Sequence, residues 1–134
     1  MSENLGKYIG KCVSRAWLEQ YEAVLSKFHR GEMGEYLFDE RVKNLAQSLS
    51  EREVARFEQS VKRDFGMTVF KCTRHFLARL LSRFSDSFMP FLMSRLARLI
   101  ANCRKRKKER SRGDGLLLVM DPNNNELITI FASA

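Results

Sequence analysis

Apolar residues recur every three to five positions through most of the first hundred residues, the spacing of an amphipathic helix. Tyr8, Cys12, Trp17, Tyr21, Leu25 and Phe28 predict one helix from about Leu5 to His29, broken by Arg30-Gly31-Glu32-Met33-Gly34. Leu37, Val42, Leu45 and Leu49 predict a second, Glu35 to Leu49. Ser50 with Glu53 three residues on is a capping box for a third, which Gly66 ends after Phe65. A fourth spans about Met67 to Phe84, with Val69, Phe70, Thr73, Phe76, Leu77, Leu80, Leu81 and Phe84 as its buried stripe. Met67–Lys71 also reads as a short strand. Ser85-Asp86-Ser87 then offers a new N-cap, and a fifth helix with Pro90 in its first turn carries Phe91, Leu92, Leu96, Leu99, Ile100 and Cys103 inward.

The period changes after Gly115. Leu116 to Met120 is a continuous apolar run that reads as a strand covered on both faces. Asp121-Pro122-Asn123-Asn124-Asn125 is turn chemistry, and Leu127-Ile128-Thr129-Ile130-Phe131 is β-branched and aromatic. The expectation is a mainly α domain of α+β type with about five helices. Residues 1–112 would be helical and 115–132 a closing hairpin. At 134 residues, one domain is the default.

Charge adds a partner class. Residues 71–112 hold thirteen Lys/Arg against Asp86 and Glu109, whereas the first seventy residues balance and the tail from Gly113 is acidic. The formal charge of +8 is therefore a local excess, whose natural partner is RNA or another polyanion. Its densest part, Arg104, Lys105, Arg106, Lys107, Lys108, Arg110 and Arg112, would dominate affinity through counterion release. Arg74, Arg95 and Arg98 add cations of the same sign on the flanking helices. A nuclear-import signal, an anionic-membrane patch or a solvated helix end are the other readings of the run.

Cys12, Cys72 and Cys103 lack metal-ligand spacing and read as reduced core residues; with only His29 and His75 beside them, no metal site and no cofactor is expected. No run of 18 apolar residues predicts a transmembrane helix, and the start of the chain lacks the apolar core of a secretory signal. The expected compartment is the cytoplasm, or the nucleus in a eukaryotic or viral setting, with signal-independent secretion left open.

One pattern carries chemistry. His75, Arg79 and Arg83 stand at i, i+4 and i+8, on one helical face opposite Phe76, Leu77, Leu80, Leu81 and Phe84. Cleavage of RNA by its own 2′-hydroxyl needs an acid and a base in histidine's titration range and cations for the phosphorane, and no metal. No dedicated carboxylate base is evident; Asp86, Asp121 and Glu126 are near in sequence only. The same spacing is also what the wet face of any basic helix shows.

The run Thr73–Ser85, with His, three residues, Arg, three residues, Arg and a turn, resembles the helix of small metal-independent ribonuclease toxins of the barnase–EndoU–colicin–RelE-like group. Leu116–Met120, the Asp-Pro turn and Leu127–Phe131 resemble the ending of those domains. The resemblance covers about Thr73 to Ala134. It implies His75 as acid/base, Arg79 or Arg83 on phosphate, and Thr129 facing the scissile group. Two alternatives stand beside this ribonuclease reading: a non-catalytic nucleic-acid-binding adaptor, viral or plasmid-borne, and a helical protein whose basic face meets an acidic partner such as an immunity protein.

Overall fold

In the computed structural model, which describes residues 3–132, Gly10 and Ser14 divide what the periodicity reads as one long first helix. Helix α1 (Leu5–Ile9) stops at Gly10, and α2 (Arg15–His29) starts afresh where the Ser14 side chain accepts from the Trp17 amide at 3.2 Å. A side chain at Gly10 would meet Leu18 at 3.0 Å, so the residue permits close packing of the two helices at the bend. Helix α3 (Glu35–Gln47) and α4 (Glu51–Phe65) follow.

The capping box of α4 is formed in full: the Glu53 amide donates to Ser50 Oγ at 3.1 Å, and the Ser50 amide donates to Glu53 Oε1 at 2.9 Å. Glu53 also accepts from the Ser14 amide at 2.8 Å, tying the start of α2 to the start of α4. Burial works against ionisation of Glu53, yet these hydrogen bonds prevail and hold its carboxyl below the ordinary glutamate value. Ser50→Ala is expected to cost about 1 kcal/mol in urea denaturation; a change below experimental error would show that the box does not stabilise α4. Gly66 closes the helix in the left-handed conformation at φ 63°.

The expected fourth helix is shorter than its apolar stripe. Lys71–Cys72 form strand β1, and α5 runs only over Arg74–Arg83. Thr73, assigned to the stripe by spacing, is instead the junction. Its side chain caps the Phe76 amide at 3.0 Å, and its amide donates to the Leu127 carbonyl at 3.1 Å. Helix α6 (Met89–Arg106) buries Leu92, Leu96, Leu99, Ile100 and Cys103 as expected, but Phe91 is 69% exposed, one step off the buried arc.

The basic run is not all helix. Lys107 adopts the left-handed conformation at φ 52°, and the chain reverses into strand β2 (Arg110–Gly113), which corrects the helical reading of residues 1–112. Asp114 and Gly115, both at positive φ, form a two-residue hairpin turn into β3 (Leu116–Asp121). Strand β4 (Glu126–Ala132) then pairs antiparallel with β3 and parallel with β1, giving a four-stranded mixed sheet of order β1-β4-β3-β2. The hairpin expected over 115–132 is thus part of a sheet. Strand β3 is covered on one face only: Leu116, Leu118 and Met120 are buried, while Leu117 and Val119 are half-buried.

Helices α5 and α6 pack on the sheet, and α3 packs on α5 from the other side. One continuous apolar cluster runs through these layers, with Tyr21, Phe38, Phe57, Phe70 and Phe76 fully buried. Trp17 donates its indole N–H to the Leu45 carbonyl at 2.7 Å, and Tyr21 its hydroxyl to the Leu81 carbonyl at 2.8 Å. Both polar tips are thereby satisfied inside the core. Among the described residues no helix is long and apolar enough to cross a membrane.

Candidate nucleic-acid interface and the His75 cleft

The turn at Lys107 decides how the densest positive charge is displayed. Arg104, Lys105 and Arg106 stand on the last turn of α6, where they meet the partial negative charge of the helix terminus. Lys108 follows the turn, and Arg110 and Arg112 stand on the edge strand β2. All seven Lys/Arg from Arg104 to Arg112 are exposed, and among the described residues none forms an ion pair or a side-chain hydrogen bond. Arg110 and Arg112 alternate with Ser111, which turns inward and accepts from Asn102 at 2.8 Å. Both arginines therefore project from the opposite face of the sheet.

Three cations expected to join them are held by the protein itself. Arg98 binds the Asp114 carboxylate through Nε and Nη2, each at 3.0 Å. Arg95 donates to the Asp114 carbonyl at 3.2 Å and keeps a buried, unpartnered Nε. Arg74 donates to the Leu49 carbonyl at 3.0 Å. Arg95 and Arg98 thus fasten α6 to the β2–β3 turn, and Arg74 fastens α5 to the end of α3. The positive surface is narrower than the sequence count.

The His-Arg-Arg stripe divides as well. His75 and Arg79 line a cleft of about 200 Å³ between α3 and α5, shared with Tyr36, Asp39, Glu40 and Lys43. Arg83 lies beyond it, with its guanidinium 5.6 Å from the centre of the Phe131 ring. Thr129 lines neither of the two depressions that His75 lines, and its hydroxyl oxygen is buried without a hydrogen-bond partner. Of the carboxylates near in sequence, Asp86 faces His29 at 3.7 Å, and Asp121 accepts from the Asn123 amide in its own turn at 2.9 Å. Glu126 shares a shallow depression with His75. The carboxylates in the cleft that His75 shares with Arg79, namely Asp39 and Glu40, come from α3, some thirty-five residues upstream of His75. Nothing local in the sequence marks them, because helix packing alone brings them there.

Burial, and then the positive charges of Arg79, Lys43 and Arg83, depress the pKa of His75 below its ordinary 6.5. The unfolded chain takes up this proton first as pH falls. His75 therefore costs no stability above about pH 6.5 and reduces it progressively as pH drops through the lower folded value. A proton NMR titration is expected to place the His75 midpoint below 6.5, and a midpoint at or above that value would contradict the geometry.

The cysteines offer no nucleophile. All three are buried thiols with raised pKa values: Cys72 most, through burial and then Glu58 and Glu126, Cys12 and Cys103 through burial foremost. Among the described residues no group of three or more His, Cys, Asp or Glu side chains is placed to hold a metal ion. Comparisons with protein-family models, with curated proteins and with solved structures return no match for this chain.

Proposed function

We propose that this protein binds nucleic acid, RNA in the first instance, through the basic surface formed by the end of α6 and strand β2. The observation that carries the reading is the display of seven exposed Lys/Arg from Arg104 to Arg112 with no acidic side chain paired to any of them among the described residues. Neutralising phosphates with such cations releases condensed counterions, a sequence-independent source of affinity that weakens steeply with salt. Fluorescence anisotropy of labelled RNA and DNA, titrated with protein at 50 and 200 mM salt, tests it. Binding that falls at least tenfold over that range is expected. No binding at the lower salt would refute the reading, and a stable complex with an acidic protein in place of nucleic acid would favour a helical protein whose basic face meets an acidic partner.

A ribonuclease of the toxin type is the second reading, favoured by one observation: His75 and Arg79 line the same cleft. There His75, mostly neutral near pH 7, would take the proton of the attacking hydroxyl and Arg79 would hold the phosphate, whereas Arg83 and Thr129, which the resemblance implies beside them, lie outside that cleft. Asp39 and Glu40 in the same cleft oppose a phosphate, which is why binding ranks first. Cleavage of total RNA in EDTA that disappears in His75→Ala would reverse that order; intact RNA leaves the binding reading alone.

A further inference from the structure

The sheet has two faces: one is fully buried against the helices, and on the other the β3 and β4 side chains are half-buried, with the Thr129 hydroxyl oxygen wholly covered. Ser111, Leu118 and Ile130 form one cross-strand row, buried against the helices. The rows on either side of it face the other way. In one, Arg110 pairs with Val119 and Val119 with Thr129; in the other, Arg112 pairs with Leu117 and Leu117 with Phe131. Each row begins with an exposed arginine at the β2 edge and crosses a half-buried aliphatic residue on β3. The second row ends on an aromatic ring, and the exposed Arg83 of α5, the helix packed on β4, places its guanidinium 5.6 Å from the centre of that ring. The surface is therefore a largely apolar strip, two strands wide, with arginines along its β2 edge and Arg83 at the Phe131 end. It is continuous with the basic run through Arg110 and Arg112.

The chemistry of this strip selects its occupant. A hydrophobic protein surface would have to desolvate three guanidinium groups to reach Leu117 and Phe131, at a high electrostatic cost. A nucleic-acid duplex presents phosphates but keeps its base faces stacked inside, so it leaves the apolar centre unsatisfied. A single strand offers both parts at once, π-faces for the ring and phosphates for the flanking cations. Arg112 and Phe131 stand two strands apart, about 10 Å, on the scale of one nucleotide from its phosphate to the far edge of its base. We propose that the outer face of the sheet binds single-stranded nucleic acid, with a base stacked at Phe131 beside Leu117 and phosphates held by Arg110, Arg112 and Arg83. This rests on the nucleic-acid reading above and adds strandedness to it.

The experiment compares a labelled twelve-nucleotide oligouridylate, the matching oligothymidylate and a twelve-pair RNA duplex. The proteins are the full chain, Phe131→Leu, Phe131→Ala, and a variant with Lys105 and Lys108 changed to glutamine. Phe131→Leu keeps the apolar contact with Leu117 while removing the aromatic plane, and circular dichroism reports whether each variant is folded. The expected result is that both Phe131 variants weaken single-strand binding by about tenfold and leave duplex binding within about twofold. The lysine variant weakens single strand and duplex together. Equal binding of oligouridylate and oligothymidylate assigns the ligand as single strand of either sugar; a difference assigns one of them. Single-strand affinity unchanged in folded Phe131→Leu overturns the stacking face while leaving the binding function intact. If the unaltered protein binds none of the three probes, the function itself fails. A dimer in sedimentation that is abolished by Phe131→Leu also overturns the proposal, by assigning the face to a second copy of the chain.

Discussion

Changing Lys105, Arg106, Lys108 and Arg110 to glutamine is expected to lower RNA affinity on the order of a thousandfold at 0.1 M salt. Each phosphate contact contributes about 0.7 to 0.9 to the slope of log affinity against log salt, so removing four should flatten that slope by about 3. The expectation applies to the folded protein, because these side chains are exposed and unpaired within the described structure and the fold does not lean on them. Relief of their mutual repulsion offsets the loss of the favourable contact of Lys105 and Arg106 with the end of α6, so stability should change by no more than about 1 kcal/mol. Lys107 is left in place because it sits at φ 52°, and changing it would mix charge with backbone conformation. A variant whose midpoint in urea is unchanged but whose salt slope is also unchanged would remove the end of α6 and β2 from the interface. The control is Arg98→Gln: this guanidinium already belongs to Asp114, so its loss should reduce affinity far less than any one member of the run.

Truncating Phe76 to alanine is the second large effect, expected at about 3–5 kcal/mol of unfolding free energy by urea denaturation. Phe76 is fully buried in the layer where α5 meets the sheet and the outer helices, with Phe70 edge-on to its ring at 6.5 Å between centroids. The substitution removes the transfer free energy of the ring and leaves a cavity that α5, wedged between β4 and α3, cannot collapse. Domains of this size are stable by about 5–15 kcal/mol, so the loss is a large fraction of the total and should move the urea midpoint well below that of the unaltered protein. Phe76→Leu should recover most of the loss, at about 1.5 kcal/mol or less. A loss under about 1 kcal/mol in Phe76→Ala would mean that α5 does not carry the packing ascribed to it. His75, next in sequence but on the cleft side of the same helix, should show no comparable effect.

The elements that were legible in advance are those specified by their own neighbours. Helix α4 is legible because Ser50, Glu53 and Gly66 define both of its ends within the segment. The Asp121–Asn125 turn is legible because Asp121 and Asn124 satisfy nearby amides with their own side chains. Two local signals were present and outweighed. Asp114-Gly115 is a two-residue hairpin turn, hidden behind a run of charge that reads as a helix end. Ser14 is an N-cap inside an apolar period that continues across it by chance. Phe91 shows the limit of periodicity, since a residue one step from the buried arc can still fit the spacing.

The candidate sites divide along the same line. That the chain carries an excess of positive charge, and that it lies between residues 71 and 112, is a property of composition alone. Which arginines remain available is not. Asp114 captures Arg98 and Arg95, Leu49 captures Arg74, and helix packing places Asp39 and Glu40 beside His75. Strand β1 is two residues long and exists only because β4, more than fifty residues later, pairs with it. Charge and helical period are sums over neighbouring residues, so the chain by itself determined most of the helical stretches, the two closing strands and the place of the positive charge. Strand order, the open face of the sheet and the pairing of each cation depend on contacts between residues far apart in sequence. Only the tertiary structure decided those, because such contacts gain their energy once the chain has closed the loops between them.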